Sequence, residues 1–171
     1  MDKKEVRSEL TRFVLDSLIN EYKELADTWK TLDTKAQGTG TIAGVFLAAI
    51  FTWSRDLPAG FTCANKFGLG VALLFLIVVV LLSLFALAVR EHDDLPQGRS
   101  VKGMYSDLND VDLQQEHFDR FLGGLIEKWG QTNEQISAHN IAKGLYVRWA
   151  QYILVIAMGV VVMVCLASIF K

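Results

Sequence analysis

The chain has 171 residues and a net charge of −2, and Asp, Glu, Lys and Arg make up 21% of it. These charges are confined: Lys35 to Arg55 encloses 19 uncharged residues, Lys66 to Arg90 encloses 23, and Arg148 to Lys171 encloses 22. Runs of this length and apolarity read as transmembrane helices. They exclude a soluble enzyme of this size and a disordered chain. The net charge excludes a general basic footprint for nucleic acid. Cys63 and Cys165 have no partner at metal-ligand spacing, and His92, His117 and His139 are scattered, so no metal site and no structural disulfide is expected.

Residues 1–35 are expected to form a cytosolic amphipathic helix. Leu15, Leu18, Tyr22, Leu25, Trp29, Leu32 and Ala36 recur at alternating steps of three and four, which is a heptad seam facing another helix. The partner is either another subunit, making an oligomerising stalk, or the second cytosolic segment of the same chain. No short basic region leads directly into an apolar core, so no signal peptide is expected and the N-terminus is placed in the cytosol.

The first span is read at residues 36–53. It is the least apolar of the three, with Thr39, Thr41 and Thr52, and Ala36, Gly40, Gly44 and Ala48 stand at four-residue steps. Such small residues let helix backbones approach closely in lipid. The face has two readings: a packing seam, or a pore wall whose threonine hydroxyls meet partly dehydrated ions. Trp53 suits the outer interface. Residues 54–66 form an outer loop. The second span, 67–89, is apolar all round, which fits a lipid-facing outer position.

Residues 90–148 form the second cytosolic segment. A loop over 91–111 carries Pro96, Gly98 and Gly103. A helix then runs to about Lys128 with Phe118, Phe121, Leu122, Leu125 and Trp129 on its buried face. Gly130 is expected to break it, and Thr132-x-x-Gln135 has the capping-box pattern for a new helix. That helix continues into the third span, 149–170, as a rod of nearly forty residues. Lys and Arg number seven in residues 1–35, two in the 54–67 loop and seven in 90–148. The positive-inside rule therefore places the C-terminus outside.

No nucleophile is matched with a base and no phosphate-loop signature occurs, so an enzyme is not expected. Arg90, Arg99, Lys102, Lys143 and Arg148 lie near the inner surface. They either anchor to lipid headgroups or contact nucleotide phosphates, with Tyr105 stacking on a base. Asp93, Asp94, Asp107, Asp110 and Asp112 either shape ion entry or are solvated helix and loop acids. No span holds an Asp, Glu, Lys, Arg or His, which argues against a transporter relay.

Trp29-x-x-Leu32-Asp33-Thr34-Lys35-Ala36-Gln37-Gly38, Gly103-Met104-Tyr105-Ser106, Glu134-Gln135-Ile136, Ile141-Ala142 and Arg148-x-Ala150 together resemble the Pycsar-type transmembrane effectors of bacterial antiphage nucleotide signalling. That family is similar in layout to the SLATT-domain effectors, and the Hailong channel subunit is a small protein of this kind. The resemblance implies an oligomeric helical effector that breaches the inner membrane when a nucleotidyltransferase or cyclase changes a nucleotide signal. It also implies a gating role for the element around Trp29, Asp33 and Lys35. Gly144 departs from the pattern, since a basic residue often occupies that turn and Lys143 is one position off.

The expected fold is therefore an all-α membrane protein with three transmembrane helices and a cytosolic helical layer, assembled as a symmetric homo-oligomer, with a tetramer as the working guess. The expected function is a nucleotide-controlled pore that depolarises the bacterial inner membrane. The site residues are Ala36, Thr39, Gly40, Thr41, Gly44 and Ala48 for pore or packing, and Trp29, Asp33 and Lys35 for gating. Arg99, Lys102, Tyr105, Lys143 and Arg148 are expected to contact a nucleotide or oligonucleotide ligand. No other cofactor is expected. The competing readings are a non-conducting anchor that recruits a soluble partner and, more weakly, a subunit of a larger transporter.

Overall fold

The structure is a computed structural model that describes residues 3–55, 63–89 and 115–169. Three helices account for them: α1 (Lys3–Arg55), α2 (Cys63–Ala88) and α3 (Gln115–Ile169). All three are long and apolar enough to cross a membrane. The chain divides into two compact units, Met1–Trp29 with Glu91–Asn140, and Lys30–Arg90 with Ile141–Lys171.

The first unit is built on the heptad seam of α1. Its partner is the N-terminal part of α3, so the seam packs within the chain. Tyr22 meets Trp129 edge-on with ring centroids 5.4 Å apart. Asn133 Nδ2 donates to the Leu18 carbonyl at 2.9 Å and to Glu21 Oε2 at 3.1 Å. One heptad later, Asn140 Nδ2 donates to the Leu25 carbonyl at 3.0 Å. Both asparagines are buried. Two amides one heptad apart grip two carbonyls one heptad apart, which fixes the register of a parallel helix pair.

The expected break at Gly130 is absent. α3 is helical through Gly123, Gly124 and Gly130, and Thr132 Oγ1 donates to the Lys128 carbonyl at 2.9 Å, as in a helix interior. The Thr132–Gln135 spacing is therefore not a cap. A glycine costs a helix about 1 kcal/mol relative to alanine, and contacts on both sides of Gly130 offset that cost. The continuous helix has 55 residues, more than the rod of nearly forty expected from the sequence.

In the second unit α1 and α3 run parallel and α2 runs against them. Ala43, Ile50, Leu69, Leu76, Val79, Ala150, Leu154 and Ala157 form its main core. Ala36, Ala86 and Val147 form a second cluster. The buried positions of α2 are Leu69, Ala72, Leu76, Val79, Ser83 and Ala86. They step by three and four, as do Lys143, Val147, Ala150, Leu154 and Ala157 of α3. So α2, apolar all round in sequence, buries one heptad face within the chain and leaves large apolar side chains exposed on the other. Alanines recur among the larger aliphatics because lipid gives no hydrophobic drive between helices, and close approach has to supply the contact.

Candidate functional site

The small residues of the first span belong to two faces. Ala36 and Thr39 are buried and Gly40 is half-buried, while Thr41, Gly44 and Ala48 are exposed. A Cβ on Gly40 would lie 3.2 Å from Ser83 Cβ, whereas one on Gly44 would meet nothing within 4 Å. The expected continuous face Ala36–Gly40–Gly44–Ala48 is thus divided. Each four-residue step overshoots a full turn by about 40°, so three steps rotate by about 120°. The line that stays on the core is the heptad Trp29, Ala36, Ala43 and Ile50, all buried. Seven residues fall only about 20° short of two turns, and a left-handed supercoil absorbs that drift.

The exposed side of α1 differs from those of its neighbours. Gln37, Thr41, Gly44, Ala48 and Thr52 are all exposed along it. Thr52 Oγ1 donates back to the Ala48 carbonyl. Ile42, Val45 and Phe51 are exposed beside this stripe. By contrast α2 exposes Leu74, Ile77, Leu81, Leu84 and Phe85, and α3 exposes Val155, Ile156, Val162, Met163 and Leu166.

At one end of this unit Lys143 Nζ lies 2.6 Å from Asp33 Oδ1. The Lys143 side chain is 1% exposed and that of Asp33 is 32% exposed. Lys143, a candidate for nucleotide contact, joins α3 to α1 through an ion pair whose ammonium is buried and whose carboxylate is partly exposed. Leu32 Cδ2 of α1 lies 3.9 Å from where a Gly144 Cβ would stand, an ordinary van der Waals distance. Trp29 is buried and Lys35 is exposed. The Lys35 carbonyl accepts from Thr39 Oγ1 at 2.8 Å.

Arg148 is exposed. Its Nε donates to the Tyr152 hydroxyl at 3.4 Å, and its guanidinium lies 5.7 Å from the centre of that ring. With Ile141, Gly144, Leu145 and Trp149 these residues line an open groove of about 560 Å³. Arg99, Lys102 and Tyr105, together with Arg90 and the acids Asp93, Asp94, Asp107, Asp110 and Asp112, lie outside the described residues. Among the described residues no group of three His, Cys, Asp or Glu side chains converges as a metal site would require.

The Asn133–Asn140 ladder holds α3 against α1 without any motif that marks it in the sequence. Both residues share a heptad register with Ile136, Lys143, Val147 and Ala150. That register is visible only once α3 is taken as unbroken.

Three spanning-competent helices, an alanine-rich heptad core and an ion pair at one end of it define an all-α membrane protein. Residues 18–170 match the Pycsar effector protein domain. The chain belongs to that family, the transmembrane effectors of Pycsar antiphage defence. No curated protein and no solved structure matches it.

Proposed function

We propose that this effector acts as a homo-oligomeric pore that depolarises the bacterial inner membrane under control of a nucleotide. The observation that carries the reading is the exposed stripe Gln37, Thr41, Gly44, Ala48 and Thr52 on α1. Polar side chains at bilayer depth normally face a bundle interior or a water-filled cavity. Large apolar side chains, as on α2 and α3, suit lipid. In an assembly with α1 innermost, Thr41, Gly44, Ala48 and Thr52 would face the axis. Tight packing there would close the path, and rotation or separation of α1 would open it. With no fixed charge on the wall, such a pore would select ions weakly.

The N-terminus and the 90–148 segment would be cytosolic, and the C-terminus periplasmic. The ligand would be a cyclic nucleotide or oligonucleotide made by a partner cyclase or nucleotidyltransferase. Arg99, Lys102 and Tyr105 remain the candidates for contacting it, with Arg148 as a fourth. The burial of Lys143 against Asp33 favours a structural role for Lys143.

The test is purified protein in planar bilayers with a panel of cyclic mononucleotides and cyclic oligonucleotides. Nucleotide-dependent current is expected, and Gly44→Leu should abolish it while the chain stays folded. Absence of current under every condition would favour the anchoring reading.

A further inference from the structure

The three charge-free runs end at one level of the second unit. Ala36, Ala86 and Val147 meet in one cluster. Lys35 precedes the first, Arg148 follows the last, and Arg90 comes four residues after Ala86. In a chain whose three helices cross a membrane, this is the level where hydrocarbon gives way to lipid phosphates.

Arg148 is exposed at that level, in the open groove of about 560 Å³ on α3. The described lining holds no other charge. Ile141, Gly144 and Leu145 lie before Arg148, and Trp149 and Tyr152 after it. Gly144, one turn before Arg148 on the same face, has no side chain to fill the groove.

Tyr152 stands one turn beyond Arg148. Helical side chains lean toward the N-terminus, which brings its hydroxyl back to the guanidinium. Arg148 Nε donates to that hydroxyl at 3.4 Å, and the guanidinium lies 5.7 Å from the ring centre. This engages one of five N–H groups. Among the described residues the Nη groups make no hydrogen bond and no carboxylate pairs with Arg148. Trp149 is 55% exposed and meets Tyr152 edge-on. Further into the span, Val155 and Ile156 are exposed.

Charge complementarity selects the occupant. A guanidinium with free Nη groups suits a phosphate, which it can hold by two parallel bonds. Tryptophan and tyrosine suit the headgroup level, and exposed aliphatics beyond them suit an acyl chain. A nucleotide would offer the phosphate but nothing to lie on Val155 and Ile156 within the bilayer. No carboxylate in the described lining would receive the ammonium of a zwitterionic headgroup.

We propose that this groove binds one anionic phospholipid with an uncharged headgroup, whose phosphate is held by the Arg148 Nη groups and whose acyl chain lies along Trp149, Val155 and Ile156. Tyr152 is a positioning residue that holds the guanidinium through Nε. The site requires the membrane spans but not the pore, and it takes Arg148 out of the nucleotide candidates.

Native mass spectrometry of the full chain in detergent, titrated with phosphatidylglycerol or phosphatidylcholine, tests it. Each subunit should hold one phosphatidylglycerol, about tenfold more tightly than phosphatidylcholine. Arg148→Gln should erase that preference. Arg148→Lys keeps the charge but loses bidentate geometry, and should bind about tenfold more weakly than the parent. Lys66→Gln, which removes an exposed cation at the opposite end of α2, should change nothing. Equal losses from Lys66→Gln and Arg148→Gln, or full binding by Arg148→Lys, would show a general attraction of basic residues to anionic lipid and overturn the site. Displacement of the lipid by a cyclic nucleotide would overturn it too, and return Arg148 to the nucleotide candidates. A chain that binds the lipid but carries no current would keep the site and overturn the pore. Tyr152→Phe keeps the ring, loses the hydroxyl and should weaken binding severalfold in the parent, but no further in Arg148→Gln. Additive losses would overturn the positioning role.

Discussion

The seam between α1 and α3 is made differently in the two units. In the first, large and polar groups meet: Tyr22 on Trp129, and Asn133 and Asn140 on backbone carbonyls. In the second, the buried residues are Ala36, Ala43, Ala150 and Ala157, with Val147 and Leu154. One heptad geometry serves two solvents. In water, apolar burial drives association, and polar residues at seam positions set the register. In lipid that drive is absent, so small residues bring backbones into contact. The Asp33–Lys143 pair stands at one end of the seam within the second unit.

The largest expected effect tests that pair. Asp33→Ala removes a carboxylate from beside a nearly inaccessible ammonium and should cost about 3 kcal/mol, the low end for breaking a buried pair, because Asp33 is partly exposed. Lys143→Met leaves Asp33, which is a third exposed and can be hydrated, so its loss should be smaller. The asymmetry is read from thermal unfolding of the two variants in one detergent. Equal losses would show that the pair is not buried in the way its geometry indicates.

The next effect separates the two faces of the first span. Gly40→Leu drives a side chain into Ser83 and should destabilise the chain by about 1–3 kcal/mol, the usual range for overpacking. A Cβ at Gly44 meets nothing within 4 Å, so Gly44→Leu should leave the unfolding temperature unchanged or raise it slightly by removing a helical glycine. Its effect should fall on assembly and current. If Gly44→Leu unfolds the chain and Gly40→Leu does not, the division of the small residues into core and outer faces is wrong.

A smaller effect belongs to the first unit. Tyr22→Leu keeps apolar volume but removes the edge-on contact with Trp129, and should cost about 0.5–1.5 kcal/mol. The loss should vanish when Trp129 is already leucine, as a double-mutant cycle would show.

The three spans and the first heptad seam were legible in the sequence because charge-free runs and large apolar residues at steps of three and four are strong signals. The continuation of the seam through Ala36, Ala43 and Ile50 was not, since alanine carries little contrast among other apolar residues. A four-residue ladder of small residues is conspicuous in print, yet it winds off the packing face. Gly130 and Thr132 gave a local break signal that contacts on either side overrode. Lys143 illustrates a further limit. A lysine beside a membrane segment reads as an anchor or a phosphate ligand, and its burial on Asp33 becomes visible only when α1 and α3 are seen to run parallel in one register.

The smallest expected effect has the opposite sign. Asn140 donates one amide hydrogen bond to the Leu25 carbonyl, but its own carbonyl oxygen is buried without a partner. The bond contributes about 1 kcal/mol, and the stranded oxygen costs at least as much. The Leu25 carbonyl keeps its helical partner when the amide is removed, so Asn140→Leu strands nothing and adds apolar burial. The variant should be as stable as the parent or more so, by up to about 1 kcal/mol, in chemical denaturation. What it should lose is register. With Asn133 also replaced by leucine, nothing polar ties α3 to Leu18 and Leu25, and one-heptad slippage of the pair becomes affordable. Cysteine pairs placed at residues 25 and 140, and at 18 and 140, would report it: the parent forms only the first disulfide, whereas the variant with residue 133 as leucine forms both. A single disulfide in both backgrounds would show that the apolar seam sets the register unaided.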